Sequence, residues 1–143
     1  AAAKAATAAD KEVWLSWTLQ GNRPDHLPSG ETVREAFDAA STLPVDAYLV
    51  NCCGANFVSG AMGILHALTD KPIGGYANSA NVIPAREGES ARDPEQVERE
   101  RLDVEAYADS VRGWIARGAT IVGGCCGTRP SYIAKLRELI DAR

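Results

Sequence analysis

Four cysteines occur in this sequence as two adjacent pairs, Cys52-Cys53 and Cys125-Cys126. A secreted disulfide framework usually spaces its cysteines apart in a much smaller chain, so we interpret these as free thiols of a reducing compartment and expect a cytoplasmic protein. No CxxC spacing is present, which argues against a zinc ribbon or a thioredoxin-like motif. Thiols that stay reduced are available for metal binding or for chemistry.

Each pair lies just past the carboxyl end of a short apolar run that is typical of a buried strand. Parallel α/β folds build their sites at the carboxyl ends of the strands, so we expect the two pairs to converge. Three thiolates from two strand ends would form an incomplete tetrahedron, the ligand arrangement of a catalytic zinc site. A substrate thiol in the fourth position would be held as thiolate, its nucleophilic form. No histidine or carboxylate near the cysteines offers a general base.

Successive strand residues point to opposite faces, so a regular strand could not aim both Cys125 and Cys126 at one ion. We expect the flanking Gly123, Gly124 and Gly127 to supply the positive φ angles of a tight turn. The alternative is that the cysteines are small buried residues that pack beside the glycines.

The elements that would position these cysteines alternate between strand and helix. The predicted strands are Val13–Leu19, Ala47–Val50, Pro72–Tyr76 and Ala119–Val122. Four helices are predicted, of which the first and third are Glu31–Ser41 and Val97–Arg117. The second carries Val58, Met62, Leu65 and Leu68 on one face. The fourth begins near Pro130 and has Ile133, Leu136 and Ile140 on its core face. This order predicts a parallel sheet with right-handed crossovers, either a small doubly wound domain or half of a (β/α)₈ barrel. The polar stretch 80–96 lacks periodicity and is expected to form a solvated loop.

Length and charge narrow the function classes. The 143 residues fit one domain. The net charge is −4 and no basic face is visible in the sequence, which argues against nucleic acid as a partner. No apolar run approaches the roughly 18 residues of a membrane span, so we expect no membrane partner. Neither GxGxxG nor GxxxxGK[ST] is present, which removes the main support for a nucleotide-binding fold.

Three segments together resemble the zinc motifs of the homocysteine S-methyltransferase family. They are Val50-Asn51-Cys52, Tyr76-Ala77-Asn78-Ser79 and Gly123-Gly124-Cys125-Cys126-Gly127-Thr128-Arg129-Pro130. The resemblance implies a zinc ion held by Cys52, Cys125 and Cys126, with Cys53 left as a packing residue. It also implies a site role for Asn78, near the metal and the substrate, although Ala77 stands where the family more often has proline.

The resemblance also covers Trp14–Trp17 and Ser29–Thr32, which are similar to the family's fifth strand and the start of the next helix. The family fold is a (β/α)₈ TIM-type barrel about twice this length. The resemblance therefore implies that residues 1–143 form its C-terminal half, four βα units with the N-terminal half absent, and that Ala1 begins partway through the fourth helix. A half-barrel would expose two strand edges.

The function that the resemblance implies is zinc-dependent transfer of a methyl group to the thiol of homocysteine, forming methionine. The partners would be homocysteine and a methyl donor. Two alternatives stay open: a non-catalytic zinc-binding half-barrel, alone or as a dimer, and a thiol redox protein.

Five further residues carry expectations. His26 lies in the loop after the first strand, on the presumed site face, where loops often carry function. His66 lies on a helix and is expected to be partly packed or to face solvent. Trp14 and Trp17 point to opposite sides of their strand and are both expected to pack, and Tyr76 is expected in the core.

Overall fold

The computed structural model describes residues 5, 6, 8, 11–83 and 99–142. Its centre is a four-stranded parallel sheet in the order β1-β2-β3-β6. The strands are β1 (Trp14–Thr18), β2 (Ala47–Asn51), β3 (Ile73–Ala77) and β6 (Ala119–Gly124). A second sheet of two short antiparallel strands, β4 (Ala80–Val82) and β5 (Arg99–Arg101), lies between β3 and β6 in the chain.

Four helices alternate with the strands of the parallel sheet: α1 (Val33–Ala40), α2 (Ala55–His66), α3 (Val104–Ala116) and α4 (Pro130–Asp141). Their ends follow local chemistry. Thr32 and Glu35 form a reciprocal capping box at the start of α1, and the Asp103 side chain accepts the amide of Ala106 at the start of α3. Pro130 occupies the first turn of α4, as predicted.

The strand order distinguishes between the two expected architectures. The main-sheet strands lie side by side in chain order, without the reversal that marks a doubly wound sheet. Right-handed crossovers that all step in one direction place every helix on the same face and curve the sheet toward a barrel. The fold is therefore α/β with the topology of a TIM-type barrel segment, and the doubly wound alternative was wrong.

The core lies between the helices and one face of this sheet. Tyr48 and Val50 of β2 enter it beside Val58 and Met62 of α2, and Trp114 of α3 is fully buried. Strand alternation sends Leu49 and Asn51 to the opposite face, which is the inner face of the barrel segment. The outer edges of β1 and β6 have no paired strand within the part of the chain that the structure describes.

The region between β3 and α3 differs from the predicted loop and helix. Residues 80–82 and 99–101 pair as strands, and α3 begins only at Val104, because Asp103 caps the helix there. All three residues of Arg99–Arg101 are exposed, so this segment belongs to the two-stranded sheet at the surface and not to an apolar helix face. Residues 84–96 of the predicted loop, and Val97 and Glu98 at the start of the predicted helix, lie outside the described residues.

Several residues that were expected to pack are exposed. On α4 the buried stripe runs through Tyr132 and Leu136, with Ile133 and Ile140 exposed at 47% and 43%. Ile133 is one residue, or about 100°, away from the side that faces α3. Trp14 is 53% exposed because it lies on the inner face of edge strand β1, whereas Trp17 stacks on Tyr48 with ring centroids 5.8 Å apart.

Candidate metal centre

Three thiols meet at the carboxyl end of the parallel sheet. The sulfurs of Cys52, Cys125 and Cys126 all lie within 4.8 Å of one another, although they come from the ends of β2 and β6. The Cys126 Sγ lies 3.8 Å from the Cys52 Sγ and 3.9 Å from the Cys125 Sγ. Thiolates on one zinc ion, each at about 2.3 Å in a tetrahedron, are separated by about 3.8 Å. The donor atoms and their spacing therefore suit a metal ion, and no other such cluster occurs in the described ranges.

The backbone at Cys52 separates the roles of the first pair. Cys52 has a φ of 53°, in the left-handed region that glycine favours, and its amide donates to the Tyr76 carbonyl at 3.2 Å. This turn directs the Cys52 sulfur toward the loop after β6. Cys53 is 6% exposed within the core, which confirms its expected packing role. Gly54 then starts α2.

The loop that carries Cys125 and Cys126 is held by hydrogen bonds within the loop and to the end of β3. The Thr128 hydroxyl donates to the Cys125 carbonyl at 2.7 Å, and the Cys125 amide donates to the Ala77 carbonyl at 2.8 Å. Of the three flanking glycines only Gly127 has a positive φ, of 78°. Gly124 serves a different purpose, because a Cβ there would lie 2.5 Å from the Thr128 hydroxyl oxygen.

Asn78 lies beside the second pair, in contact with its backbone. The Asn78 side-chain oxygen accepts the Cys126 amide at 3.2 Å, and the Ser79 amide donates to the Cys126 carbonyl at 2.9 Å. The Asn78 amide donates to the Cys53 carbonyl at 2.9 Å. The segment after β3 therefore contacts both cysteine pairs, and Asn78 orients the Cys126 peptide.

The Cys52 thiol is neutral when no cation is present. Burial, and then the neighbouring Cys125 and Cys126 thiols, raise the pKa of Cys52 to about 12. Three thiolates this close would repel one another, whereas a bound cation stabilises all three. Burial also raises the pKa of Cys53 to about 12, so that residue stays a neutral packing group.

The other candidate residues are not members of the three-thiol cluster. The His26 Nδ1 lies 2.6 Å from an Asp25 carboxylate oxygen, and this contact is the main cause that lowers the pKa of Asp25. His66 is exposed and lines a cavity with Pro72 and Gly118, at the amino end of the sheet and away from the cysteines. Tyr76 is half-buried on the inner face, not in the core, because its neighbour Gly75 is the residue that faces the helices.

Two residues near the thiols were missed from the sequence. The Ser16 hydroxyl donates to the Asn51 side-chain oxygen at 2.7 Å, on the inner face directly before Cys52. The Tyr107 hydroxyl lies 3.0 Å from the Ala77 carbonyl oxygen and 2.9 Å from that of Gly123. Burial raises the pKa of Tyr107, so its hydroxyl stays protonated and can donate. Each belongs to an ordinary strand or helix pattern, so no local signal marked it.

Fold and site together define a (β/α) barrel segment with a three-thiol cluster suited to hold a metal ion. The sequence model of the homocysteine S-methyltransferase family matches residues 1–140. The chain belongs to the homocysteine S-methyltransferase family.

Individual relatives agree with this assignment. Homocysteine S-methyltransferase from Escherichia coli (strain K12) is 31% identical over 125 residues, which are 87% of this chain and 37% of that protein. Homocysteine S-methyltransferase 4 from Zea mays is 27% identical over 128 residues, or 89% of this chain and 35% of the relative. Selenocysteine methyltransferase from Astragalus bisulcatus is 27% identical over 130 residues, which are 90% of this chain and 36% of that protein. The chain thus spans well under half the length of these proteins.

Solved structures show the same relationship. The metallated form of the Escherichia coli homocysteine methyltransferase MmuM superposes with a TM-score of 0.71 at 28% identity, covering 96% of this chain and 39% of that one. The oxidized form of MmuM gives the same TM-score, covering 96% of this chain and 40% of that one. In the described part of this chain, no helix has the length and apolar character needed to cross a membrane.

Proposed function

We propose that this chain forms the thiol-activating part of a homocysteine S-methyltransferase, with Cys52, Cys125 and Cys126 as the ligands of a zinc ion. The observation that carries the proposal is the spacing of the three sulfurs, 3.8 and 3.9 Å for the two close pairs. Three sulfur ligands leave one position of a tetrahedron for a substrate. The family membership supports homocysteine as that substrate.

The chain's own residues prepare the ligands. The left-handed turn at Cys52 directs its sulfur toward the other two. The Thr128 hydroxyl donates to the Cys125 carbonyl and the Cys126 amide donates to the Asn78 side chain, and these bonds fix the loop that carries the second pair. When bound, zinc lowers the pKa of a coordinated thiol and keeps it as the nucleophilic thiolate. In the reaction the homocysteine thiol loses its proton, a sulfur–carbon bond forms to the methyl group, and the bond from that methyl group to its donor breaks, giving methionine.

We also propose that residues 1–143 form the C-terminal half of the barrel, completed by further βα units against β1 and β6. The unpaired outer edges of these two strands within the described chain support this, as does the 35–37% of each curated relative quoted above that the chain covers. The four cysteines are all free thiols, which supports a cytoplasmic location.

The test uses zinc and cobalt(II) as probes with the full chain and two variants. Cys125→Ser removes a proposed ligand, and Cys53→Ala is the matched control because it removes the neighbouring cysteine that is buried outside the cluster. We expect one zinc per chain for the unaltered protein and for Cys53→Ala, and loss of binding for Cys125→Ser. Retention of zinc by Cys125→Ser would refute the ligand assignment.

Substrate binding is tested on the cobalt(II)-loaded chain by adding homocysteine, with homoserine as the control that lacks the sulfur. A homocysteine-specific change in the sulfur-to-cobalt absorption band supports the open position for a substrate thiol. Metal binding without such a change would favour the non-catalytic zinc-binding alternative. Disulfide formation that a metal does not prevent would favour the redox alternative.

A further inference from the structure

Tyr107 is a buried tyrosine of α3 whose ring is fixed from two sides. It is fully buried, and its ring meets those of Trp114 and Tyr132 edge-on, with centroids 5.8 and 5.6 Å apart. Edge-to-face packing of this kind restrains an aromatic ring in its plane and position. The hydroxyl at the end of the ring is therefore held in a defined place.

That place is between the ends of two neighbouring strands. The hydroxyl lies 3.0 Å from the Ala77 carbonyl oxygen on β3 and 2.9 Å from the Gly123 carbonyl oxygen on β6. Its single proton is shared between the two acceptors. Ala77 directly precedes Asn78, and the Ala77 carbonyl also accepts the amide of Cys125 at 2.8 Å. The hydroxyl thus lies at the point where the loop of Cys125 and Cys126 leaves the sheet.

The same helix also contacts the segment after the first cysteine pair. The Trp114 indole N–H donates to the Ala55 carbonyl at 3.1 Å, in the first turn of α2. Cys52 lies three residues earlier, after β2. Helix α3 is therefore hydrogen-bonded to the structure behind both parts of the cluster, although none of its residues is among the three thiols.

We propose that Tyr107 is a positioning residue that sets the distance of Cys125 and Cys126 from Cys52 and thereby the metal affinity of the cluster. The inference rests on the proposed function, because it assumes that these thiols bind zinc. Removal of the hydroxyl leaves the Gly123 carbonyl without this donor and frees the ends of β3 and β6 to shift relative to each other. A shift of a few tenths of an ångström is enough to spoil a tetrahedral sulfur set.

Tyr132 provides a matched control within the same aromatic cluster. It is also buried, and its hydroxyl donates to the Leu102 carbonyl at 2.8 Å, before the start of α3. Tyr132→Phe therefore removes one buried hydroxyl and one hydrogen bond to a carbonyl, as Tyr107→Phe does, but not at the strand ends. A purely structural role predicts the same behaviour for both variants.

The experiment measures zinc affinity by chelator competition for the full chain, Tyr107→Phe, Tyr132→Phe and Cys125→Ser, together with the thermal midpoint of each in the metal-free state. We expect Tyr107→Phe to bind zinc about tenfold more weakly, the size of effect seen when groups outside the ligand set are removed. Its cobalt(II) form should show a shifted sulfur-to-cobalt band. Tyr132→Phe should keep the affinity and the band of the unaltered chain.

Unchanged zinc affinity and spectrum in Tyr107→Phe would overturn the proposal, as would an equal loss in Tyr132→Phe. If Cys125→Ser loses zinc while Tyr107→Phe does not, only the positioning role fails. If Cys125→Ser binds zinc like the unaltered chain, the proposed metal centre fails and the positioning role fails with it.

Discussion

The backbone at Cys52 gives a prediction whose sign can be tested. Cys52 is the one described residue other than glycine with a positive φ, of 53°. A Cβ in this region costs about 1–2 kcal/mol, which glycine avoids. Relative to alanine, glycine lowers the free energy of unfolding by about 0.4–1 kcal/mol, because it has greater freedom in the unfolded chain. Cys52→Gly should therefore be more stable than Cys52→Ala by about 0.5–1 kcal/mol, although both lack the sulfur.

Cys53 is the matched control, because its φ is negative and its side chain is buried. Glycine at position 53 relieves no backbone strain, and its greater freedom in the unfolded chain lowers the free energy of unfolding by about 0.4–1 kcal/mol. It also loses about 0.8 kcal/mol from the buried carbon that alanine keeps. Cys53→Gly should therefore be less stable than Cys53→Ala by about 1–2 kcal/mol, the opposite sign to position 52.

Urea unfolding of the four variants measures both differences. A chelator is present throughout so that bound metal does not add to the stability. With a urea dependence of about 1–3 kcal/mol per molar, a difference of about 1 kcal/mol moves the midpoint by roughly 0.3–1 M. If the glycine variant at position 52 is no more stable than the alanine variant, the left-handed turn that aims the Cys52 sulfur is refuted.

Three further outcomes follow from the site and its support. Because the pKa of Cys52 is raised to about 12, this thiol keeps its proton until metal displaces it. Zinc affinity should therefore fall by at least about tenfold per unit of falling pH between about 8 and 6, and a chelator titration that shows no pH dependence contradicts this. Iodoacetamide should label the exposed Cys126 in the metal-free chain but not in the presence of zinc, while the buried Cys53 stays unlabelled in both cases. Mass spectrometry that finds Cys126 labelled equally with and without zinc counts against the cluster. Thr32→Ala removes the capping box with Glu35 and should lower the free energy of unfolding, measured in urea, by about 1 kcal/mol. Zinc affinity, measured by chelator competition, should stay unchanged.

Much of the fold could be predicted because local sequence decides it. Apolar runs and helical periodicity identified the four main strands and the four helices that alternate with them. The short strands β4 and β5 were missed, because Arg99–Arg101 carries no apolar alternation and gains its strand form only by pairing with Ala80–Val82. On α4 the prediction was right for Leu136 and wrong for Ile133 and Ile140, because the side that faces α3 depends on how the two helices pack.

The sequence by itself determined that cysteine pairs follow two strands and that parallel strands end at one edge, so convergence of the thiols could be expected. The family resemblance implied which three sulfurs meet, and only the tertiary structure shows how they come together. The lateral order of strands depends on contacts between distant segments, and it places β2 and β6 on either side of β3. The left-handed turn then selects Cys52 over Cys53, and the hydroxyl of Tyr107 reaches the strand ends through packing that no local pattern records.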